Sequence, residues 1–326
     1  MTKRRSMYRK ACMQTRVRRN AAVVAGAVAI SLLGALPASA ALPAPRPTSA
    51  STISHEVQKS GSITALPQKA AKSLAHLRGD MPWRYYPANG VLGCPTITSC
   101  TFANKHSKKL IVLFGDSHAM MWLPAIVPWA KAAGDKVALI WKPSCPLAAL
   151  PRIPLYPPNP IPLDCPVWRA KALAEIKAAT PKLIVLGERT SRIKSLPGQA
   201  PFTNAEWQRG LMTTIKSLQR PGTNVALMED LPYLVQDPAS CLAIHSTAVQ
   251  ACGIGEHPVF PGRQLVERAS ATATGATFVG TRQWFCTATC SVVIGNTIAY
   301  FDQSHVSATY AAKLSTVVGQ VLRKFA

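Results

Sequence analysis

Two short clusters carry residues whose types and spacing can do chemistry. In residues 109–119 an apolar run bounded by Lys109 and Gly115 breaks into Gly115-Asp116-Ser117-His118. Such a run predicts a fully covered central strand. The break then seats Ser117 where strand becomes helix, with its hydroxyl at the carboxyl end of a sheet strand. A serine in that position is a nucleophile if a base reaches it. Near the other end of the chain, residues 300–307 place Asp302 and His305 three apart on one short turn. An imidazole held beside a carboxylate can take a proton from a serine hydroxyl, so Ser117, His305 and Asp302 form a candidate nucleophile, general base and orienting acid. Plainer uses exist for each: Ser117 and Asp302 as helix caps, His305 as a turn histidine.

The order of these clusters, Gly115-Asp116-Ser117-His118 first and Asp302-Gln303-Ser304-His305 last, resembles the SGNH hydrolase superfamily. Lys142-Pro143-Ser144-Cys145-Pro146, Cys165 ahead of Trp168-Arg169, and Val293-Ile294-Gly295-Asn296 narrow the resemblance. Over residues 82–326 the chain looks like the SGNH domain fused to bacterial membrane acyltransferases that O-acylate cell-surface glycans. That resemblance implies an acyl-serine intermediate and oxyanion donors from two further blocks. Ser144 stands in the second block. The third reads Leu186-Gly187-Glu188-Arg189-Thr190 and lacks the superfamily's usual Asn, so Arg189 or a backbone N–H is the candidate substitute. A structural ion pair is the alternative for Glu188 and Arg189, and a degraded oxyanion hole would leave a weak enzyme or a pseudoenzyme. Asp116 is expected to brace the turn, and His118 either to line the site or to pack.

The elements that must position these residues alternate. Strand signals at residues 136–141, 182–187, 224–228, 277–279 and 292–300 are interleaved with helical patterns at 166–179, 203–218, 262–272 and 307–325. This predicts an α/β fold, a three-layer α/β/α sandwich with a mainly parallel, doubly wound, flavodoxin-like sheet. Pro124 and Pro128 should kink the helix after Ser117 or make it begin afresh. Residues 143–166 hold nine prolines and predict a long irregular loop.

Composition bounds the class. The 326 residues carry a formal net charge of +23 with 48% hydrophobic content, enough for one large core. Eight basic residues precede Ala21, an apolar stretch follows, and Ala38-Ser39-Ala40 reads as a cleavage signal. Residues 1–40 are therefore expected to be a signal peptide or, if uncleaved, a signal anchor, the only membrane contact. Their removal leaves 29 basic against 14 acidic residues, a net +15. Residues 41–80, rich in Ala, Pro, Ser and Thr, predict a flexible tether, and 81–326 the folded domain.

Of nine cysteines, eight lie beyond the targeting segment in near pairs: Cys94 with Cys100, Cys145 with Cys165, Cys241 with Cys252, and Cys286 with Cys290. Eight cysteines allow 105 connectivities, of which local pairing is the simplest, and export to an oxidising compartment is expected. No C-x-x-C spacing or His cluster accompanies them, so no metal or cofactor is expected.

Two function classes compete. One is exported acyl transfer to, or ester hydrolysis on, cell-envelope glycans, with a separate membrane protein as acyl donor. The other is a non-catalytic basic protein that clings to anionic wall polymer. Nucleic acid is not expected as a partner, since export separates the two and no basic-aromatic motif is present.

Overall fold

The computed structural model describes residues 48–85, 94, 96–152, 154–155, 164–190, 194–195, 198–255 and 263–325. The expected signal segment, the start of the expected tether and the middle of the proline-rich stretch lie outside the described residues. A six-stranded sheet sets the frame, with strands β1 (Thr101–Ala103), β2 (Leu110–Gly115), β3 (Lys136–Trp141), β4 (Leu183–Gly187), β5 (Asn224–Met228) and β6 (Thr277–Val279). Their order is β1-β3-β2-β4-β5-β6; β1 pairs antiparallel with β3 and every other pair is parallel. Without the antiparallel edge strand this is the flavodoxin-like order. It puts a topological switch point at the carboxyl ends of β2 and β4, where such sheets open a crevice for ligands.

Besides the short helices Pro82–Tyr85 and Pro238–Ile244, the described α-helices are α1 (Ala50–Ser60), α2 (Gln68–Leu74), α3 (Ser117–Met120), α4 (Leu123–Ala132), α5 (Cys165–Ala179), α6 (Asn204–Leu218), α7 (Arg263–Thr274), α8 (Ala308–Lys313) and α9 (Ser315–Leu322). All six residues of β2 are buried. Alternate side chains of a strand point to opposite faces. Ile111 and Leu113 therefore join a core with Ile126 of α4 and Val318 of α9, while Val112 and Phe114 join a second core with Ile176 of α5 and Leu211 of α6. A strand covered on both faces cannot alternate polar and apolar residues, which is why its sequence is an unbroken apolar run.

Three expectations are corrected. From residue 48 the chain is not a tether. Ser49 caps α1 by accepting the Thr52 N–H, and Ile53 and Val57, four apart on one helix face, are buried in the first core with Ala70 and Leu77. Glu56 of α1 pairs with Lys313 of α8, and the Asp80 carbonyl accepts the Ala308 N–H at 2.9 Å. Helical spacing of a few apolar residues thus outweighs the Ala/Pro/Ser composition. Second, residues 292–300 add no strand to the six-stranded sheet: Val293–Ile294 turns back and pairs antiparallel with Thr297–Ile298 in a separate two-stranded sheet. The turn needs Gly295, which has φ +56° and whose Cβ would stand 2.6 Å from the Glu56 carboxyl carbon. Third, the last helix is two, α8 and α9, which meet at Leu314. The proline effect appears as a restart. Helix α3 ends at Met120 and α4 begins with Pro124 in its first turn, where a missing N–H does no harm.

Cys94–Cys100, Cys145–Cys165, Cys241–Cys252 and Cys286–Cys290 are disulfides. None of the described helices is long and apolar enough to cross a membrane.

Candidate active site

The nucleophile turn is built by close approach. A Cβ on Gly115, the last residue of β2, would sit 1.8 Å from the Gly187 carbonyl oxygen, and one on Gly187 of β4 would meet the Ala119 Cα at 2.8 Å. Only glycine at both strand ends lets β2, β4 and α3 converge. Asp116 caps α3: one carboxylate oxygen accepts the His118 N–H at 2.8 Å and the other the Arg189 N–H at 2.9 Å. Burial pushes its carboxyl up to about 8. Asp116 therefore ties the turn after β2 to the turn after β4.

Ser117, the first residue of α3, is half-buried at the switch point. Its Oγ lies 2.8 Å from His305 Nε2, and His305 Nδ1 lies 2.8 Å from the nearer Asp302 carboxylate oxygen. The other Asp302 oxygen accepts the N–H groups of Ser304 and His305, each at 2.8 Å. Burial acts to raise Asp302, but the neighbouring His305 and these hydrogen bonds outweigh it and hold the carboxyl well below the usual carboxylate range. With Asp302 ionised, Nδ1 of His305 carries the proton and Nε2 is free to accept one from Ser117. Ser307, not Asp302, caps α8. The His305 ring stacks on Phe301 with centroids 5.4 Å apart and meets the edge of Trp83 at 5.9 Å.

Behind this chain lies a second histidine. The His118 and His305 ring centroids are 4.5 Å apart. His118 Nδ1 stands 2.5 Å from Asp230, and both side chains are 1% exposed. Asp230 follows β5, and its carboxylate also accepts the N–H and hydroxyl of Thr190 and the N–H of Leu231. Burial lowers His118 below its ordinary value, while the contact with His118 and these donors keep Asp230 ionised against its own burial. The pair is an imidazole donating from Nδ1 to a carboxylate. His118 Nε2 is buried with no hydrogen-bond partner among the described residues.

Glu188 and Arg189 do not form the ion pair that was the alternative for them. They point to opposite sides of the sheet end, as consecutive residues at a strand end do. Glu188 accepts the Ala148 N–H and the Trp207 indole N–H at 3.0 and 2.9 Å, and burial pushes it up to about 7. The Arg189 guanidinium lies over Tyr233, 5.5 Å from the ring centre. Because Asp116 accepts the Arg189 N–H, that backbone group is not a spare oxyanion donor. Ser144 stands in the loop after β3 with φ +59°, a left-handed conformation unusual for a residue with a side chain, and makes no hydrogen bond to the Ser117–His305–Asp302 chain.

Thus Ser117, His305 and Asp302 are brought together with Asp116 and His118 beside them, while Arg189 follows β4 and Ser144 lies in the loop after β3. Sequence reasoning missed Asp230, Thr190 and Trp83. An acid just past a buried parallel strand was the available signal for Asp230; Trp83 and Thr190 had none.

A doubly wound α/β domain with a Ser–His–Asp chain at its switch point defines a class, the SGNH-type domains. The family model described as "SGNH domain (fused to AT3 domains)" matches residues 85–320, and the chain belongs to that family. Acyl transfer or ester hydrolysis is the chemistry this kind of domain supports in general.

Among solved structures, the periplasmic domain of a lipopolysaccharide acetyltransferase from Salmonella ser. Paratyphi A is similar with TM-score 0.52 and 13% identity, covering 68% of this chain and 86% of that one. Such identity speaks for the fold. Est24, a carbohydrate acetylesterase from Sinorhizobium meliloti, aligns with TM-score 0.38 and 13% identity over 66% of this chain and 99% of its own. An aryl esterase of M. smegmatis in its inhibitor-bound form aligns with TM-score 0.39 and 14% identity over 67% of this chain and 100% of its own. No curated protein matches the chain in sequence.

Proposed function

We propose that this protein is an extracytoplasmic, serine-dependent enzyme that transfers acyl groups to cell-envelope glycans through an acyl-Ser117 intermediate. The observation that carries the reading is the continuous chain from Ser117 Oγ through His305 to Asp302, with 2.8 Å at each link. Ser117 Oγ attacks the acyl carbonyl as its proton passes to His305 Nε2. Collapse of the tetrahedral intermediate breaks the old ester bond, and His305 returns the proton to the leaving alcohol. The acyl-serine is then attacked by a glycan hydroxyl, whose proton follows the same route, and Ser117 is regenerated. Water in place of the glycan makes the same residues an esterase. Asp302 holds the imidazole in the required tautomer throughout.

Four disulfides support residence in an oxidising compartment, and the basic, apolar and Ala-x-Ala order of residues 1–40 supports export with cleavage after Ala40. Transfer is preferred over hydrolysis because the family is that of domains fused to acyltransferases. In this reading a separate membrane protein supplies the acyl group. The test is incubation of the mature protein with an activated acyl ester, with and without wall oligosaccharide. Acylated oligosaccharide should form in preference to free acid; free acid alone at every sugar concentration makes the protein an esterase. Absence of any adduct on Ser117 after treatment with a serine-directed organophosphonate, read by mass spectrometry, would refute the acyl-serine itself.

A further inference from the structure

In a parallel sheet every strand begins at one edge and ends at the other. Here the edges differ in their ionisable side chains. Ser117 and the buried acids Asp116, Glu188 and Asp230 stand just past the carboxyl ends of β2, β4 and β5. At the amino edge Lys109, Lys136 and Lys182 open β2, β3 and β4, and they are neighbours: the Lys136 N–H bonds the Lys109 carbonyl, and the Lys182 N–H that of Leu110. Helices returning from the carboxyl edge end here with Lys131, Lys177 and Lys216 in the last turns of α4, α5 and α6. A bond of 2.7 Å from the Asn224 side-chain amide to the Phe325 carbonyl brings Arg323 to the same edge.

A cation in the last turn of a helix complements the helix dipole, which accounts for the three helical lysines. It does not account for the lysines that open strands. Carboxylates at this edge are few among the described residues: Asp135 is buried and bound to Lys182, and Glu175, one turn before the end of α5, accepts the Ile97 N–H. Beside them is a recess of about 300 Å³ bounded by Trp129, Asp135, Lys182 and Arg323. Among the described residues the large exposed apolar side chains, Val167, Val235, Ile244 and Leu265, all belong to segments on the carboxyl side of the sheet.

From this placement we propose that the amino edge of the sheet is a docking surface for an anionic glycan polymer, which holds the enzyme with its serine end turned away from the polymer contact. A predominantly basic surface with a recess of monosaccharide size suits a soluble polyanion, and repeated weak contacts add along a polymer as they do not for a monomer. The inference stands apart from the catalytic reading, because it concerns binding alone.

The test uses the mature chain and polygalacturonate as probe, with binding followed by sedimentation. The wild type should bind, and its affinity should fall steeply between about 50 and about 200 mM salt. The variant Lys131→Gln/Lys177→Gln/Lys216→Gln/Arg323→Gln, altered only at exposed positions, should bind about tenfold more weakly with a shallower salt slope. Its turnover of a soluble chromogenic ester should equal that of the wild type. A control, Lys59→Gln/Lys69→Gln/Lys72→Gln/Lys171→Gln, removes as many exposed charges elsewhere and should bind like the wild type. Equal losses in both variants would reduce the effect to net charge and overturn the proposal, as would unchanged binding in the first variant or no binding by the wild type. Preference for phosphatidylglycerol vesicles over the polymer would make the surface a membrane contact and overturn it equally.

Discussion

Two histidine–carboxylate pairs lie side by side with ring centroids 4.5 Å apart, yet the structure fits them for different work. His305 is 13% exposed, holds Asp302 on one nitrogen and offers the other to a serine hydroxyl. His118 is 1% exposed, holds Asp230 on one nitrogen and has no described partner on the other. The chemistry of an imidazole–carboxylate pair is therefore set less by the pair than by what its outer nitrogen reaches. Facing a hydroxyl at a half-buried serine, it is placed to accept that group's proton. Enclosed among the ends of β2, β4 and β5, it is a brace that joins the nucleophile turn to Thr190 and Asp230.

The sharpest test of this contrast is activity. Ser117→Ala and His305→Ala should each lower turnover of a chromogenic ester by about 10⁴-fold or more while leaving the urea midpoint nearly unchanged. Asp302→Asn should lose a similar factor through the wrong tautomer, and a double variant should be no worse than the poorer single one, since members of one relay do not add. Retained activity in Ser117→Ala would remove the distinction between the two pairs.

The brace predicts the reverse pattern. His118→Ala leaves the buried Asp230 carboxylate short of its nearest donor and should destabilise the fold by about 3 kcal/mol, read from urea unfolding. Its ester turnover, measured well below the unfolding transition, should fall by much less than that of His305→Ala. A loss as large as that of His305→Ala, with stability intact, would make His118 part of the proton path instead.

The smallest expected effect is a pH dependence of stability. Burial pushes Asp116 up to about 8 and Glu188 up to about 7 from ordinary values of 3.8 and 4.5. The folded state thus keeps protons that the unfolded chain has released, so stability should fall as pH rises through this range. His118, lowered by burial, acts with the opposite sign but only below its ordinary 6.5, and the contribution of Asp302 is complete above 3.8. Between pH about 6.5 and about 8 the buried carboxyls act together, Glu229 and Glu267 being raised by burial as well, and the unfolding free energy should drop by at least about 2 kcal/mol. A midpoint that rises over this interval would mean that the buried acids around the brace are ionised already.

Much of this arrangement is legible in the chain because it is local. The apolar run into Ser117, the three-residue spacing of Asp302 and His305, the alternation of strands and helices and the near pairs of cysteines all express relations between residues close in sequence. Backbone geometry and burial translate such relations directly into structure. Helix α1 was legible in principle, since Ile53 and Val57 have helical spacing, but composition spoke louder than two apolar residues. What the tertiary structure alone decided are relations across the chain. His305 meets Ser117 over a separation of 188 residues, and His118 meets Asp230 over 112. Glu188 turns toward Trp207 while Arg189 turns toward Tyr233, and the basic residues of separate helix ends and strand starts gather on one edge. Such contacts follow from strand order and parallel register, which depend on how whole faces bury against one another, and a single sequence carries no local mark of which distant faces will meet.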